Sequence, residues 1–74
     1  MNRARLIHDA NEIAKYFAAY PREEAIAGIA DHIRKFWDRR MRMELQALLS
    51  DDSALLHPLV KAAAVQLHEP PPVS

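Results

Sequence analysis

The sequence predicts an all-α fold: a small bundle of three main helices, a short C-terminal helix and a Pro-rich tail. The 74 residues include one glycine and no threonine, whereas Ala, Leu, Arg and Glu are plentiful, which favours helix over sheet. Apolar residues also recur at intervals of three and four along most of the chain. We therefore expect one helical domain over residues 1–68 and a flexible tail over residues 69–74, where consecutive prolines cannot continue a helix.

The first helix should span about residues 3–20. Its apolar stripe is broad enough to be covered from two sides, and consists of Leu6, Ala10, Ile13, Phe17 and Tyr20, with Ile7, Ala14 and Ala18 on one flank and Tyr16 on the other. The residue before a proline is disfavoured in helical conformation, so Tyr20-Pro21 should end this helix.

The second helix should begin with Pro21 in its first turn and run to about Trp37. Glu23 and Glu24 place negative charge at its positive N-terminal end. Its apolar face is the most regular in the chain: Ile26, Ile29, Ala30, Ile33, Phe36 and Trp37. Gly28 lies near the polar side, where it costs about 1 kcal/mol relative to alanine unless another group approaches closely.

Two further helices follow. Asp38 can cap a third helix from about Arg39 to Leu49, and Pro58 suits the first position of a fourth helix after a polar break at residues 50–53. The inward residues should be Met41, Leu45, Leu48 and Leu49 in the third helix, and Leu56, Leu59, Val60, Ala63 and Leu67 around the fourth. For the whole chain we expect a core that includes Phe17, Ile26, Ile29, Ile33, Phe36, Leu45 and Leu48.

Composition excludes several classes of function. Ten basic and ten acidic residues give a formal net charge of zero, so no global field favours nucleic acid or anionic lipid. The chain has no cysteine, which removes disulfides, thiolate-bound clusters and thiol nucleophiles. No apolar run approaches the roughly 20 residues that cross a bilayer, and residues 1–9 do not resemble a signal peptide, so we expect a cytoplasmic protein.

The residues that usually carry catalysis are scattered. His8, His32, His57 and His68 lie on separate predicted segments without a metal-binding motif. The three serines all lie at residue 50 or later, and no glycine-flanked elbow surrounds any of them. The sequence therefore predicts no catalytic residue, no metal site and no bound cofactor.

One segment stands out, since residues 31–42 place five basic side chains around two aromatic ones. In a generic helical domain the basic residues would more often be a solvated face. Trp and Arg are also the residues most enriched in binding hot spots, so the segment is a candidate interface. Nucleic-acid binding is weakened by the zero net charge and by Asp31 and Asp38 within the segment. The predicted partner-binding residues are Arg34, Lys35, Trp37, Arg39, Arg40 and Arg42.

The same segment carries a family resemblance. Residues 28–42 closely resemble the signature "GIA-x-HI-R-x-FWDPRMR" of the delta subunit of NAD-dependent, molybdenum-containing formate dehydrogenase. Residues 6–19 are similar to the "MANQIA-x-FF" segment of that family, and residues 56–63 to its "L-x-PLV-x-AA" segment. The resemblance spans roughly residues 5–65 in the right order, with one departure: Arg39 stands where the family commonly has proline.

This resemblance implies an accessory role in a multi-subunit enzyme that oxidises formate to carbon dioxide and reduces NAD. In that family the alpha subunit carries the molybdenum cofactor and iron–sulfur clusters, beta binds flavin and NAD, and gamma adds another cluster. A chain without cysteine cannot ligate such a cluster. The expected function is therefore a non-catalytic subunit that binds and stabilises the complex, with the large alpha subunit as its main partner.

Two alternatives stay open at this stage. The chain could be a maturation or chaperone-like factor for the molybdenum subunit, which stoichiometry in the active enzyme would reveal. It could also be a small nucleic-acid-binding helical protein, whose binding would fall steeply with salt. In isolation we expect the chain to be marginally stable or to form homo-oligomers, because the apolar stripe of its first helix exceeds what short neighbours can cover.

Overall fold

The computed structural model describes residues 2–51 and 53–68, which form four α-helices. They are α1 (Arg3–Phe17), α2 (Arg22–Phe36), α3 (Arg39–Leu48) and α4 (Pro58–His68), and the described residues contain no strand. The all-α prediction is confirmed. The C-terminal helix has eleven residues and is thus one residue longer than α3. The predicted tail, residues 69–74, lies outside the described residues.

The helix starts follow local capping chemistry. The Asn2 side chain accepts a hydrogen bond from the Arg5 backbone N–H at 2.8 Å, and the Asp38 side chain accepts one from Met41 at 2.9 Å. At the start of α4, His57 Nδ1 accepts from the Leu59 N–H at 3.1 Å. The predicted cap at Asp38 is confirmed, and so is Pro58 as the first residue of the fourth helix.

Helix α1 ends three residues earlier than the sequence pattern indicates. The backbone N–H of Ala18 donates to the Lys15 carbonyl, and that of Tyr20 to the Phe17 carbonyl, so the chain leaves the helix through tighter turns. A helical conformation is disfavoured for the residue before Pro21, which is consistent with the end of α1 before Tyr20. The end of the first helix was therefore predicted too late.

The core lies where α2 packs on α4, its most extensive contact, with α1 and α3 covering the remaining sides. Its largest fully buried side chains are Leu6, Ile29, Ile33, Leu45 and Val60. Smaller or nearly buried members are Ala10, Ala14, Ala25, Ile26, Ala30, Trp37, Leu48, Ala54, Leu56, Ala63 and Ala64. The predicted inward faces of α2, α3 and α4 are thus largely confirmed, with Met41, Leu49, Leu59 and Leu67 partly buried at the edge.

The predicted core was wrong for Phe36, whose side chain is 72% exposed, whereas the next residue, Trp37, is only 7% exposed. Helix α2 ends at Phe36, and Trp37 adopts an extended conformation with φ −95° and ψ 136°. Phe36 is the last residue of α2 and its side chain stays exposed, whereas Trp37 leaves the helix in an extended conformation and packs into the core.

The first helix also carries less of the core than expected. Phe17 is only partly buried, and Tyr16 and Tyr20 are exposed. The structure places α2, α3 and α4 against α1, but they cover the Leu6, Ala10 and Ala14 stripe and leave the two tyrosines uncovered.

Asn11 connects α1 to the segment that precedes α4. Its Nδ2 donates to the Leu55 carbonyl at 2.8 Å, and its Oδ1 accepts from the His57 N–H at 2.8 Å. At the other end of α1, Arg3 forms an ion pair with Asp51 in the segment after α3. Two polar residues of α1, Asn11 and Arg3, thus connect this helix to parts of the chain more than 40 residues away.

Candidate partner-binding surface

The basic segment singled out in the sequence spans the end of α2, the link at Trp37 and Asp38, and the start of α3. Its six predicted residues do not form one continuous patch. Trp37 is buried and belongs to the core. Of the five cations, three line a groove. The other two each form an ion pair with a carboxylate on the same helix.

Three arginines line one groove. Arg34 of α2 and Arg39 and Arg42 of α3 all line a groove of about 240 Å³. The complete lining, here called the arginine groove, is Arg34, Arg39, Arg42, Met43, Gln46 and Leu67. Arg42 is half-buried and the other two arginines are exposed. Helices α2, α3 and α4 all contribute, so the groove exists only in the folded chain.

The arginines of the groove have no acidic partner within residues 2–51 and 53–68. The nearby carboxylates are engaged elsewhere: Asp31 with Lys35, Asp38 with the N-terminus of α3, and Glu44 with Arg40. Three positive charges therefore share a small space, although the whole chain has a formal net charge of zero.

Lys35 and Arg40 are the neutralised pair of cations. Lys35 Nζ lies 3.0 Å from Asp31 Oδ2, and Arg40 Nε lies 3.8 Å from Glu44 Oε1, each four residues along the same helix. Arg40 is 88% exposed. Exposed pairs of this kind contribute about 0.3–0.5 kcal/mol and leave both side chains well solvated.

Gln46 fixes one wall of the arginine groove. Its Nε2 donates to the Ala64 carbonyl at 2.8 Å, which ties α3 to α4 next to Leu67. A side chain held in this way keeps one rotamer, so the groove is pre-shaped on that side. This contact could not be predicted from the sequence, because Gln46 and Ala64 lie on different helices whose relative placement depends on the tertiary fold.

A second surface joins the aromatic residues of the first helix stripe to two residues of α2; it consists of Tyr16, Phe17, Tyr20, His32 and Phe36 and is here called the aromatic surface. The Tyr16 and Phe17 rings meet edge to face at 5.0 Å, and the His32 and Phe36 ring centroids lie 4.8 Å apart. A shallow apolar cavity of about 430 Å³ between α1 and α2 is lined by Glu12, Ile13, Tyr16, Phe17 and His32.

The two surfaces flank α2 on different sides. Arg34 and Phe36 are two residues apart and hence about 200° apart around the helix axis. Residues of α3 and α4 accompany Arg34, whereas residues of α1 accompany His32. Residues 31–42 therefore contribute to two different surfaces of the fold.

Other kinds of site gain no support from the described part of the chain. It holds no group of three or more His, Asp or Glu residues positioned to share a metal ion. Its helices are also too short or too polar to span a lipid bilayer. His57, one of the four histidines considered above, serves as a helix cap through Nδ1.

Comparison with known proteins agrees with the motif in the sequence. Residues 5–64 match the family described as NADH-dependent formate dehydrogenase delta subunit FdsD. Searches of curated proteins and of solved structures returned no significant match. The matched region runs from the first turns of α1 to the middle of α4 and includes all the helix starts except that of α1. The chain therefore belongs to the delta-subunit family of NADH-dependent formate dehydrogenase.

Proposed function

We propose that this delta subunit is a non-catalytic binding subunit, which docks on the large alpha subunit of formate dehydrogenase in the cytoplasm and stabilises the complex. The observation that carries the proposal is the arginine groove, where three guanidinium groups have no carboxylate partner among the described residues. Of the residues predicted from the sequence, Arg34, Arg39 and Arg42 would act through this groove, whereas Lys35 and Arg40 lie outside it and Trp37 supports the fold.

Electrostatics favours an occupied groove. Like charges in a confined space repel one another, and the half-buried Arg42 is less well hydrated than a free side chain. A partner carboxylate would relieve the repulsion and form charge-assisted hydrogen bonds, which are about twice as strong as neutral ones. Lys35 and Arg40 already have such partners within the chain, so they should contribute less.

A binding role also fits the residue chemistry. The absence of cysteine means that the chain cannot hold an iron–sulfur cluster through thiolates, and hence cannot relay electrons in that way. The contribution of this subunit would then be to the assembly and stability of the complex. As an isolated chain it would cover its exposed aromatic residues by homo-oligomerisation.

The test is a pull-down of the large subunit by purified delta variants. Arg34→Ala with Arg42→Ala should weaken binding about a hundredfold or more, because removing a paired, desolvated charge costs about 2–5 kcal/mol. Lys35→Ala with Arg40→Ala is the matched control, since it removes the same number of charges from exposed pairs and should retain most of the binding. Circular dichroism should show that both variants keep their helices.

Two further variants separate folding from docking. Trp37→Ala removes a core side chain at a cost of roughly 3–5 kcal/mol and should unfold the chain as well as abolish binding. Arg39→Pro should fold, because position one of a helix tolerates proline and Asp38 is already extended, but it deletes one groove arginine and should weaken docking.

Two outcomes would overturn the proposal. If the Arg34 and Arg42 double variant is recovered with the large subunit in full amount at moderate salt, the interface lies elsewhere, and the aromatic surface becomes the next candidate. If the delta chain is absent from purified active enzyme but binds the cofactor-free alpha subunit, it is a maturation factor.

A further inference from the structure

We infer that the arginine groove accepts an acidic segment of a partner protein, in which carboxylate side chains flank an apolar one. The inference rests on the proposed function in assuming a protein partner at this groove, and it goes further by naming the chemistry of the partner segment. It is carried by the arrangement of cations and apolar side chains around one groove.

The three arginines of the groove can pair with more than one carboxylate. Arg39 and Arg42 are three residues apart and lie on the same side of α3, while Arg34 stands on α2 across the groove. Guanidinium groups bind carboxylates through two parallel hydrogen bonds, so each wall offers a separate fork. A single small anion could neutralise one wall, whereas two acidic side chains on one segment can neutralise both.

The rest of the lining favours an apolar side chain between these carboxylates. Met43, which is 60% exposed, and the half-buried Leu67 also line the groove. The groove of about 240 Å³ has room for an apolar side chain of a partner beside Met43 and Leu67. Methionine adapts its shape to a partner more readily than branched residues do.

Gln46 supplies a polar contact suited to a peptide backbone. Its Nε2 is used by the Ala64 carbonyl, which leaves Oε1 of the same amide to accept a hydrogen bond from a backbone N–H of the bound segment. Guanidinium forks, an apolar contact and an amide acceptor together match a peptide better than an inorganic anion.

A nucleic acid fits this groove less well. Proteins that bind single strands combine basic residues with aromatic platforms on which bases stack. In this fold the exposed aromatic side chains lie on the other flank of α2, beside α1, and are not interleaved with the groove arginines.

The experiment is an NMR titration of the full chain with short synthetic peptides. The probe is acetyl-Asp-Glu-Leu-Glu-Asp-amide, and the controls are the neutral Asn-Gln-Leu-Gln-Asn peptide and the acidic peptide with glycine in place of leucine. The probe should shift the Nε–Hε signals of Arg34 and Arg42 and the methyl signal of Met43 in a saturable way. The neutral peptide should not bind, and the glycine peptide should bind more weakly.

Variants and salt complete the design. Arg42→Ala should lower the affinity for the probe about tenfold or more, as expected for the loss of hydrogen bonds to a charged group, while Arg40→Ala should change it less than twofold. Raising the salt concentration should weaken binding of the probe.

Three results would overturn the inference: shifts confined to the aromatic surface, equal binding of the neutral peptide, or tighter groove binding of a single-stranded oligonucleotide than of the probe. The proposed function is judged separately by the pull-down. If the Arg34 and Arg42 double variant loses large-subunit binding but the unsubstituted chain does not bind the probe peptide, only the proposed chemistry of the partner segment is rejected. Probe binding with an unchanged pull-down would reject the docking role.

Discussion

At the scale of single residues, Gly28 shows how a packing contact can outweigh helix propensity. A Cβ atom at this position would lie 2.5 Å from Phe17 Cε1 and 2.8 Å from Cδ1. The sequence left two explanations open, an unfavourable glycine or a close approach, and the structure shows the close approach. The ring of Phe17 packs against the backbone of α2 because position 28 has no side chain.

We predict that Gly28→Ala destabilises the chain by about 1 kcal/mol. Alanine gains about 1 kcal/mol in helix propensity, but overpacking costs about 1–3 kcal/mol when the Phe17 ring has to move. Urea unfolding followed by circular dichroism measures the difference. In a Phe17→Ala background the same substitution should become stabilising. If Gly28→Ala still lowers the free energy of unfolding in that background, the Phe17 ring is not the cause.

At the scale of secondary-structure elements, Asn11 is the contact that positions the start of α4. One amide group satisfies both the Leu55 carbonyl and the His57 N–H. The His57 backbone and ring in turn accept hydrogen bonds from the first N–H groups of α4. Asn11 therefore acts on the orientation of a helix whose residues lie far away in the sequence.

We predict that Asn11→Ala lowers the free energy of unfolding by about 1–3 kcal/mol, because it leaves a partly buried N–H and a carbonyl without partners. In this variant, the rates of amide hydrogen exchange should rise more at residues 57–61 than in α2. Asn11→Asp keeps the acceptor for His57 and should retain part of the stability. If exchange rises equally in all four helices, Asn11 supports only global stability.

The segment between α3 and α4 carries a pH-sensitive contact. The Ser53 hydroxyl and backbone N–H donate to the Asp51 carboxylate at 2.7 and 2.9 Å, and Arg3 adds an ion pair. These contacts favour the charged form and hold the pKa of Asp51 below its ordinary value. The link between α1 and this segment therefore depends on an ionised Asp51.

We predict that the stability contributed by Asp51 is fully present above about pH 4, the ordinary pKa of an aspartate, and is lost as the pH falls through the lower pKa of the folded state. Urea unfolding between about pH 2 and 6 should show this as a fall in stability at the acid end. Asp51→Asn should flatten that fall, and Ser53→Ala should reduce it partly. An equally steep fall in the Asp51→Asn variant would contradict the assignment.

At the scale of the whole molecule, the aromatic surface should govern self-association. Tyr16 and Phe36 are 70% and 72% exposed and lie on neighbouring helices. We predict that Phe36→Ser weakens self-association of the isolated chain, measured by sedimentation velocity over a range of concentrations. Met43→Ser is the matched control, since it removes an exposed apolar side chain from the arginine groove and should leave association unchanged. If the two variants have the same dissociation constant for self-association, the aromatic surface is excluded as the self-association interface.

Much of the fold could be predicted from the sequence, because local chemistry determines it. Asp38 and Pro58 mark helix starts through capping and backbone geometry, and the spacing of Ile26, Ile29 and Ile33 identifies the buried face of α2. Phe36 was misassigned because periodicity indicates the helix face on which a residue lies but not whether a neighbouring element covers that face at the end of the helix, where Phe36 lies.

The candidate site could be predicted only in part. The sequence identified every arginine of the groove, but it could not separate Arg34 and Arg42 from Arg40, because that distinction depends on which cations have carboxylate partners. It also could not place Leu67 opposite them, since this requires the docking of α4 on α2. Long-range contacts of this kind have no local sequence signal.

The packing of α2 on α4 also has a consequence during translation. Ribosomes add about 5–20 residues per second, so the residues of α4 follow those of α2 after about 1–4 s. Until then Ile29 and Ile33 lack their principal cover, and Leu67 has not yet completed the arginine groove. A nascent chain that stalls before residue 58 should therefore be a substrate for chaperones and proteases.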